Sequence, residues 1–102
     1  MHEILAALPP RTTVLDLGSG RGSFDPAPYP LHVVRADVSC PAEKVPGFIA
    51  CSASRLPFPS GTFGAVILNH SLEHFENLPE SVNEIARVLA PDGFLYVAVP
   101  DA

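Results

Sequence analysis

Three glycines at alternate positions, Gly18, Gly20 and Gly22, are the residues of this 102-residue chain best suited to holding a ligand. They follow Asp16 and an apolar run that is typical of a buried strand. Glycine has no Cβ, so a loop with this pattern can turn sharply and approach a bound molecule closely. A dinucleotide-binding loop has the spacing G-x-G-x-x-G, whereas here the third glycine comes one residue early and Ser23 occupies its place. The spacing indicates a nucleoside cofactor and argues against NAD or FAD.

A carboxylate follows the glycine loop at a distance that supports the same interpretation. Asp37 closes the second predicted strand about twenty residues after the loop, where nucleoside-binding α/β folds place an acid that accepts hydrogen bonds from ribose hydroxyls. An aspartate before Val38, Ser39 and Pro41 could equally cap a helix or begin a turn. The position after a strand favours the ribose role.

Composition excludes several classes of partner. The formal charge is −5 with six basic residues, which offers no clustered positive charge for nucleic acid or an anionic membrane. Cys40 and Cys51 are too few for a disulfide framework and lack zinc-ligand spacing, so no metal is expected. Met1 to Leu8 lacks the basic flank of a signal peptide, and no run reaches the length of a membrane span. These features predict a cytoplasmic protein that binds neither nucleic acid nor membrane.

The apolar pattern predicts a parallel sheet with few helices. Short, nearly continuous apolar runs are typical of strands that are buried on both faces. We expect five of them, at Thr13–Leu17, His32–Ala36, Phe48–Cys51, Ala65–Leu68 and Phe94–Val99.

Helical spacing is found in two places. A short helix is predicted over His2–Leu8, and a longer one over Pro79–Ala90, where Pro79 suits the first turn and Pro91-Asp92-Gly93 supplies a stop. The prolines at 26, 28 and 30 exclude a helix after the glycine loop, and only one turn fits around Ala42 to Lys44. The helices on one face are therefore expected to be reduced.

Two further stretches carry a family resemblance. They are Cys51-Ser52-Ala53-Ser54-Arg55-Leu56-Pro57-Phe58-Pro59-Ser60-Gly61-Thr62-Phe63, and Asn69-His70-Ser71-Leu72-Glu73-His74-Phe75 with the helix to Gly93. Together with the glycine loop, they resemble the small-molecule branch of class I S-adenosylmethionine-dependent methyltransferases, which includes enzymes of ubiquinone and menaquinone biosynthesis. The resemblance runs from about Val14 to Pro100 and depends on the order and spacing of the motifs.

The resemblance implies an α/β, Rossmann-like, mostly parallel sheet with strand order 3-2-1-4-5, and S-adenosylmethionine as cofactor. By position, the glycines border the methionine part, Asp16 faces its ammonium, Asp37 takes the ribose diol, and Ser52 and Ala53 meet the adenine edge. The implied cofactor-binding set is Asp16, Gly18, Gly20, Gly22, Asp37, Ser52, Ala53 and Asn69.

The chain departs from this family pattern at two residues. Ser52 stands where the family often has an aspartate, so a charge-assisted bond to adenine becomes a neutral one of roughly half the strength. Gly64 replaces a further aspartate. These changes put cofactor affinity in question more than fold.

Residues after the fourth strand are the candidates for acceptor chemistry. His70, Glu73 and His74 would lie beside the transferred methyl group, and any of them could act as a base. The alternative is a structural role, as turn caps for Glu73 and His74 and as a hydrogen-bonded histidine for His70. Arg87 is expected to form an ion pair or anchor a loop.

We expect residues 1–102 to form one incomplete domain without the family's C-terminal strand pair. The predicted function is methyl transfer to a small-molecule acceptor, and the alternative is a non-catalytic cofactor-binding or interaction module. An apolar last strand with nothing beside it also predicts pairing with a second copy.

Overall fold

Parallel strands make up the sheet in the computed structural model, which describes residues 1–18, 22, 24–39, 46–69 and 75–98. The strand order is β3-β2-β1-β4-β5 and every neighbouring pair is parallel, so the predicted order 3-2-1-4-5 is confirmed. Along the chain the elements are α1 (His2–Ala7), β1 (Thr13–Leu17), β2 (His32–Asp37), β3 (Phe48–Ala50), β4 (Phe63–Asn69), α2 (Leu78–Val88) and β5 (Leu89–Ala98).

The central strand β1 sets the register of the sheet. Asp16 lies opposite Arg35 of β2 on one side and Ile67 of β4 on the other. The carboxyl ends of β1 and β2 therefore meet at the same edge, and Gly18 and Asp37 are brought to that edge together. This is where open parallel sheets bind their ligands.

Each face of the sheet packs against its own hydrophobic cluster. Leu15, Leu17, Val66 and Leu68 point to the face that α2 covers through its buried residues Ile85 and Val88. The intervening residues Val14, Ala65 and Ile67 point to the opposite face, where Leu5 of α1 packs on them. All of these side chains are at most 4% exposed, as expected for parallel strands buried on both sides.

The helix α2 begins at Leu78, one residue before the predicted Pro79, and it ends earlier than predicted. Pro79 lies in its first turn, where the missing amide hydrogen is tolerated. The expected end at Ala90 is wrong because Leu89 leaves the helix and pairs with Phe63 of β4. The next partner of β4 is Phe94, opposite Ala65, so the Pro91-Asp92-Gly93 stretch forms an irregularity within β5 instead of a turn before it.

Strand β5 lies at the edge of the sheet, and its large side chains are partly open to solvent. Phe94, Leu95 and Val97 are each 44–45% exposed. Among the described residues, no helix follows the glycine loop between 24 and 39, as predicted, whereas the predicted turn at 42–44 lies outside the described residues. No helix in the described part of the chain is long and apolar enough to cross a membrane.

Candidate cofactor-binding site

A cavity of about 520 Å³ opens at the carboxyl ends of β1, β2 and β3. Its size lies within the range of small-molecule and cofactor sites. The order of the strands reverses beside β1, because the chain moves outward through β2 and β3 and then returns to β4 on the other side. The described residues of the wall are Leu17, Gly18, Asp37, Val38, Cys51, Ser52, Ala53, Ser54, Phe75, Glu76, Asn77 and Ser81.

The first loop glycine is fixed to the neighbouring strand. The Gly18 amide donates to the carbonyl oxygen of Ala36 at 2.7 Å, which continues the β1–β2 pairing by one residue beyond Leu17. The chain therefore leaves the sheet at the cavity, and Gly18 forms part of its wall.

The Asp37 carboxylate is the acidic group at the end of β2. It lines the cavity, and its Oδ1 accepts a hydrogen bond from the Ser39 amide at 3.3 Å. The backbone carbonyl oxygen of Asp37 accepts a hydrogen bond from the Cys51 amide at 2.9 Å, which joins the ends of β2 and β3. The side chain therefore stabilises a turn and also lies at the cavity, while its contact with a ribose stays a prediction.

The segment after β3 forms the wall that was predicted to face adenine. Ala53 is buried, and the hydroxyl groups of Ser52 and Ser54 lie 2.8 Å apart. The Ser52 Oγ also accepts from the Ser54 amide at 3.2 Å. Ser52 is therefore held in a local turn, and it lines the cavity together with Ala53, while their contact with adenine stays a prediction.

An ion pair on α2 anchors the end of this segment. Glu84 Oε1 accepts from the Leu56 amide at 2.9 Å, and the Arg87 guanidinium donates to the carbonyl oxygens of Leu56 at 2.9 Å and Phe58 at 2.7 Å. Arg87 Nε also donates to Glu84 Oε2 at 2.7 Å. The loop-anchoring role expected of Arg87 is thus seen. The contribution of Glu84 to the same anchor was not predicted, although its position three residues before Arg87 on a helix indicated an ion pair.

Charge and burial set the protonation of two groups near the site. The hydrogen bond from Arg87 lowers the pKa of Glu84, and the bond from the Leu56 amide lowers it further by a smaller amount. Both bonds stabilise the charged form of Glu84. Burial and, secondarily, the negative charge of Asp37 raise the pKa of the Cys51 thiol. Cys51 therefore stays protonated at neutral pH and contributes a small apolar wall instead of a nucleophile.

Some predicted residues do not meet at the cavity. Asp16 is fully buried, with Oδ2 3.8 Å from Arg35 Nε, and does not belong to the described wall. Asn69 is half-buried at the end of β4, and neither it nor Gly22 is in the wall. The remaining candidates, Gly20, His70, Glu73 and His74, lie outside the described residues.

The segment before α2 and the first turns of α2 supply wall residues that were not predicted. Phe75, Glu76 and Asn77 come before the helix and Ser81 lies within it, and all four line the cavity. Ser81 is 1% exposed, on the side of α2 that faces the protein. The signal was their place at the start of a helix that follows a strand of the same sheet, because such a helix must begin at the edge where the ligand binds.

Comparison with known proteins gives relatives of related chemistry. The chain is 36% identical over 98 residues to a demethylmenaquinone methyltransferase of Beutenbergia cavernae, a match that covers 87% of this chain and 41% of that protein. It is 31% identical over 105 residues to a tRNA (carboxymethyluridine(34)-5-O)-methyltransferase of Mus musculus, covering 95% of this chain and 16% of that protein. The chain thus spans less than half the length of these curated relatives.

A solved structure shows the same fold with ligands bound. Burkholderia thailandensis 1,6-didemethyltoxoflavin-N1-methyltransferase, with bound 1,6-didemethyltoxoflavin and S-adenosylhomocysteine, superimposes with a TM-score of 0.70 at 27% identity, over 91% of this chain and 48% of that one. Residues 15–97 match the family described as a methyltransferase domain. Since this match covers most of the chain, from the glycine loop to β5, the chain belongs to the methyltransferase-domain family.

Proposed function

We propose that this protein transfers a methyl group from S-adenosylmethionine to a small-molecule acceptor. The observation that carries the proposal is the charge of the cavity wall. Its described residues include the carboxylates of Asp37 and Glu76 and no basic side chain. Such a wall suits a cofactor with a cationic sulfonium and ammonium, whereas the pyrophosphate of NAD calls for groups that bind anions.

The residues present fit this cofactor. Asp37 lies at the end of β2, where it would accept hydrogen bonds from ribose hydroxyls, and Ser52 and Ala53 would border the adenine. The glycine loop, beginning at Gly18, would border the methionine part. Asp16 is fully buried and is not among the described wall residues, so a direct contact with the ammonium is the least supported of the implied roles.

The bound cofactor supplies a methyl group on a sulfonium, which is already a good leaving group. The protein then contributes mainly by aligning the acceptor with the methyl carbon, an effect that reaches about 7–11 kcal/mol in ideal systems. A base is needed only where the acceptor must lose a proton, and His70, Glu73 and His74 stay the candidates for it.

A small-molecule acceptor is favoured over a nucleic acid. The demethylmenaquinone and toxoflavin enzymes named above act on small molecules by their names, whereas the tRNA methyltransferase does not. The chain carries six basic residues against eleven acidic ones, which disfavours binding to a polyanion. The second candidate, a cofactor-binding module without catalysis, rests on the neutral Ser52 at the adenine wall.

Assembly and location form part of the same proposal. The apolar side chains of edge strand β5 favour pairing with a second copy, which would appear as a dimer in sedimentation at micromolar concentration. The cysteine content favours a reducing, cytoplasmic compartment, which cell fractionation tests.

Two measurements test the function. Calorimetric titration should give saturable binding of S-adenosylhomocysteine and none of NAD at the same concentrations. Labelled S-adenosylmethionine should then pass its methyl group to a reduced naphthoquinone and not to tRNA. Binding without transfer to either acceptor would favour the non-catalytic candidate, and binding of NAD alone would refute the proposal.

A further inference from the structure

The guanidinium of Arg35 is buried and joins segments that are distant in sequence. Its side chain is 7% exposed, and Nε is 3.8 Å from Oδ2 of the fully buried Asp16. Nη2 donates to the carbonyl oxygen of Phe24 at 3.0 Å, and Nη1 to that of Pro46 at 3.5 Å. One side chain thus connects β1, the exit of the glycine loop and the connection that leads into β3.

The third loop glycine packs directly on this side chain. A Cβ at Gly22 would come within 2.5 Å of Arg35 Nε, so the backbone of the loop and the arginine are in close contact. Nε is buried and has no hydrogen-bond partner among the described residues. The arginine is therefore held by the Asp16 charge, by the Phe24 and Pro46 carbonyl oxygens, and by packing against the loop.

The described residues that follow the glycine loop form no helix that could hold it in place. Residues 24–31 form no helix before β2 begins, and the prolines at 26, 28 and 30 account for this. In a nucleoside-binding βαβ unit, that helix would pack the glycine loop onto the sheet. Here Arg35 of β2 contacts the described end of the loop and the segment after it, through Gly22 and the Phe24 carbonyl oxygen, while Phe24 itself packs on the hydrophobic cluster of the same face.

We infer that Arg35 is a positioning residue, which fixes the end of the glycine loop at Gly22 through its contacts with Asp16, Gly22 and Phe24. This inference rests on the proposed function, since it concerns the part of the same site that would border the methionine half of the cofactor. Arg35 is not among the described residues of the cavity wall, so it would act on the ligand through the loop. Its loss should therefore weaken the binding of ligands that have an amino-acid part and spare those that have only the nucleoside.

Arg35→Lys is the variant that separates positioning from folding. Lysine keeps a positive charge near Asp16, but it loses the planar fork that reaches two carbonyl oxygens at once. We expect the dissociation constant for S-adenosylhomocysteine to rise at least tenfold, while that for 5′-methylthioadenosine, which lacks the amino-acid part, changes less than threefold. Arg55→Lys, at an exposed arginine near the adenine wall, is the matched control and should change neither.

The outcomes distinguish this inference from the proposed function. A wild-type protein that binds neither ligand refutes the proposed function itself. Wild-type binding with an unchanged Arg35→Lys variant, or with equal losses for both ligands, overturns the role of Arg35 alone. If Arg35→Lys does not fold, Arg35→Gln replaces it, and the same ligand-selective loss is expected; unchanged S-adenosylhomocysteine binding there also overturns the inference.

Discussion

Two glycines with nearly the same backbone conformation provide a matched test of close packing. Gly47, before β3, has φ +70°, and Gly61, before β4, has φ +71°. A Cβ at Gly47 would lie 2.8 Å from the carbonyl oxygen of Val33, whereas a Cβ at Gly61 would meet nothing within 4 Å. Substituting alanine at each position therefore imposes the same backbone strain, but a steric clash at one position only.

The expected destabilisation follows from these distances. The left-handed conformation costs an alanine about 1–2 kcal/mol, partly offset by about 0.4–1 kcal/mol because alanine restricts the unfolded chain. Gly61→Ala should thus lower the free energy of unfolding by roughly 1 kcal/mol. Gly47→Ala must also displace the backbone at the Val33 contact, which adds an overpacking cost of about 1–3 kcal/mol. It also strains the hydrogen bond from the Arg35 amide to the Gly47 carbonyl oxygen. Its total should be about 2–4 kcal/mol.

Urea denaturation followed by circular dichroism measures both variants. For a domain of this size, each 1 kcal/mol shifts the melting temperature by roughly 4–8 °C, so thermal melts should separate Gly47→Ala from Gly61→Ala clearly. Equal destabilisation of the two variants would refute the reasoning, because it would mean that the Val33 contact does not resist the added methyl group. A changed denaturant slope would instead report an altered unfolded state.

Three further substitutions test the site. Asp37→Ala should weaken S-adenosylhomocysteine binding at least tenfold in calorimetry, since each charged hydrogen bond lost costs about 1.5–3 kcal/mol, and unchanged affinity in a folded variant would remove Asp37 from the site. Ser52→Asp should tighten binding of adenosine-containing ligands but not of analogues without the exocyclic amine; an equal effect on both would show that residue 52 does not contact that edge. Arg87 lowers the pKa of Glu84, so the stability that this carboxylate contributes is present above its ordinary pKa of about 4.5 and is lost as pH falls through the lower folded value. The difference in melting temperature between wild type and Glu84→Gln should therefore shrink in acid, and a difference that stays constant to pH 2 would contradict this assignment.

The sheet could be predicted from sequence because most of its strands contain a short, mainly apolar run. Val14 and Leu15 of β1 point to opposite faces and both are fully buried, so the run indicates a strand despite the buried Asp16 beside it. Asp37 and Ser52 could be assigned to one site for a related reason, since parallel strands bring their carboxyl ends to one edge.

Long-range contacts account for what sequence reasoning missed. The burial of Asp16 beside Arg35 depends on the register between β1 and β2, which no local pattern reports. The end of α2 at Val88 depends on the pairing of Leu89 with Phe63, a residue 26 positions earlier. In both cases a partner from elsewhere in the chain overrides the local preference.

The strand order also has a consequence for how the chain folds. With all neighbours parallel, no pair of strands can form as a local hairpin, and every pairing must first close a loop. Thr13 pairs with His32, 19 positions later, and Val66 with Leu95, 29 positions later, but Val14 must find Ala65, 51 positions away. During synthesis, β1 and β2 can therefore associate before β4 has been made. The backbone N–H and C=O groups on the other edge of β1 then stay unpaired until β4 emerges. The pairing of β1 with β4, at the centre of the finished sheet, is thus one of the last to form. Slowed translation before residue 69 would lengthen the time in which the unpaired edge of β1 can aggregate.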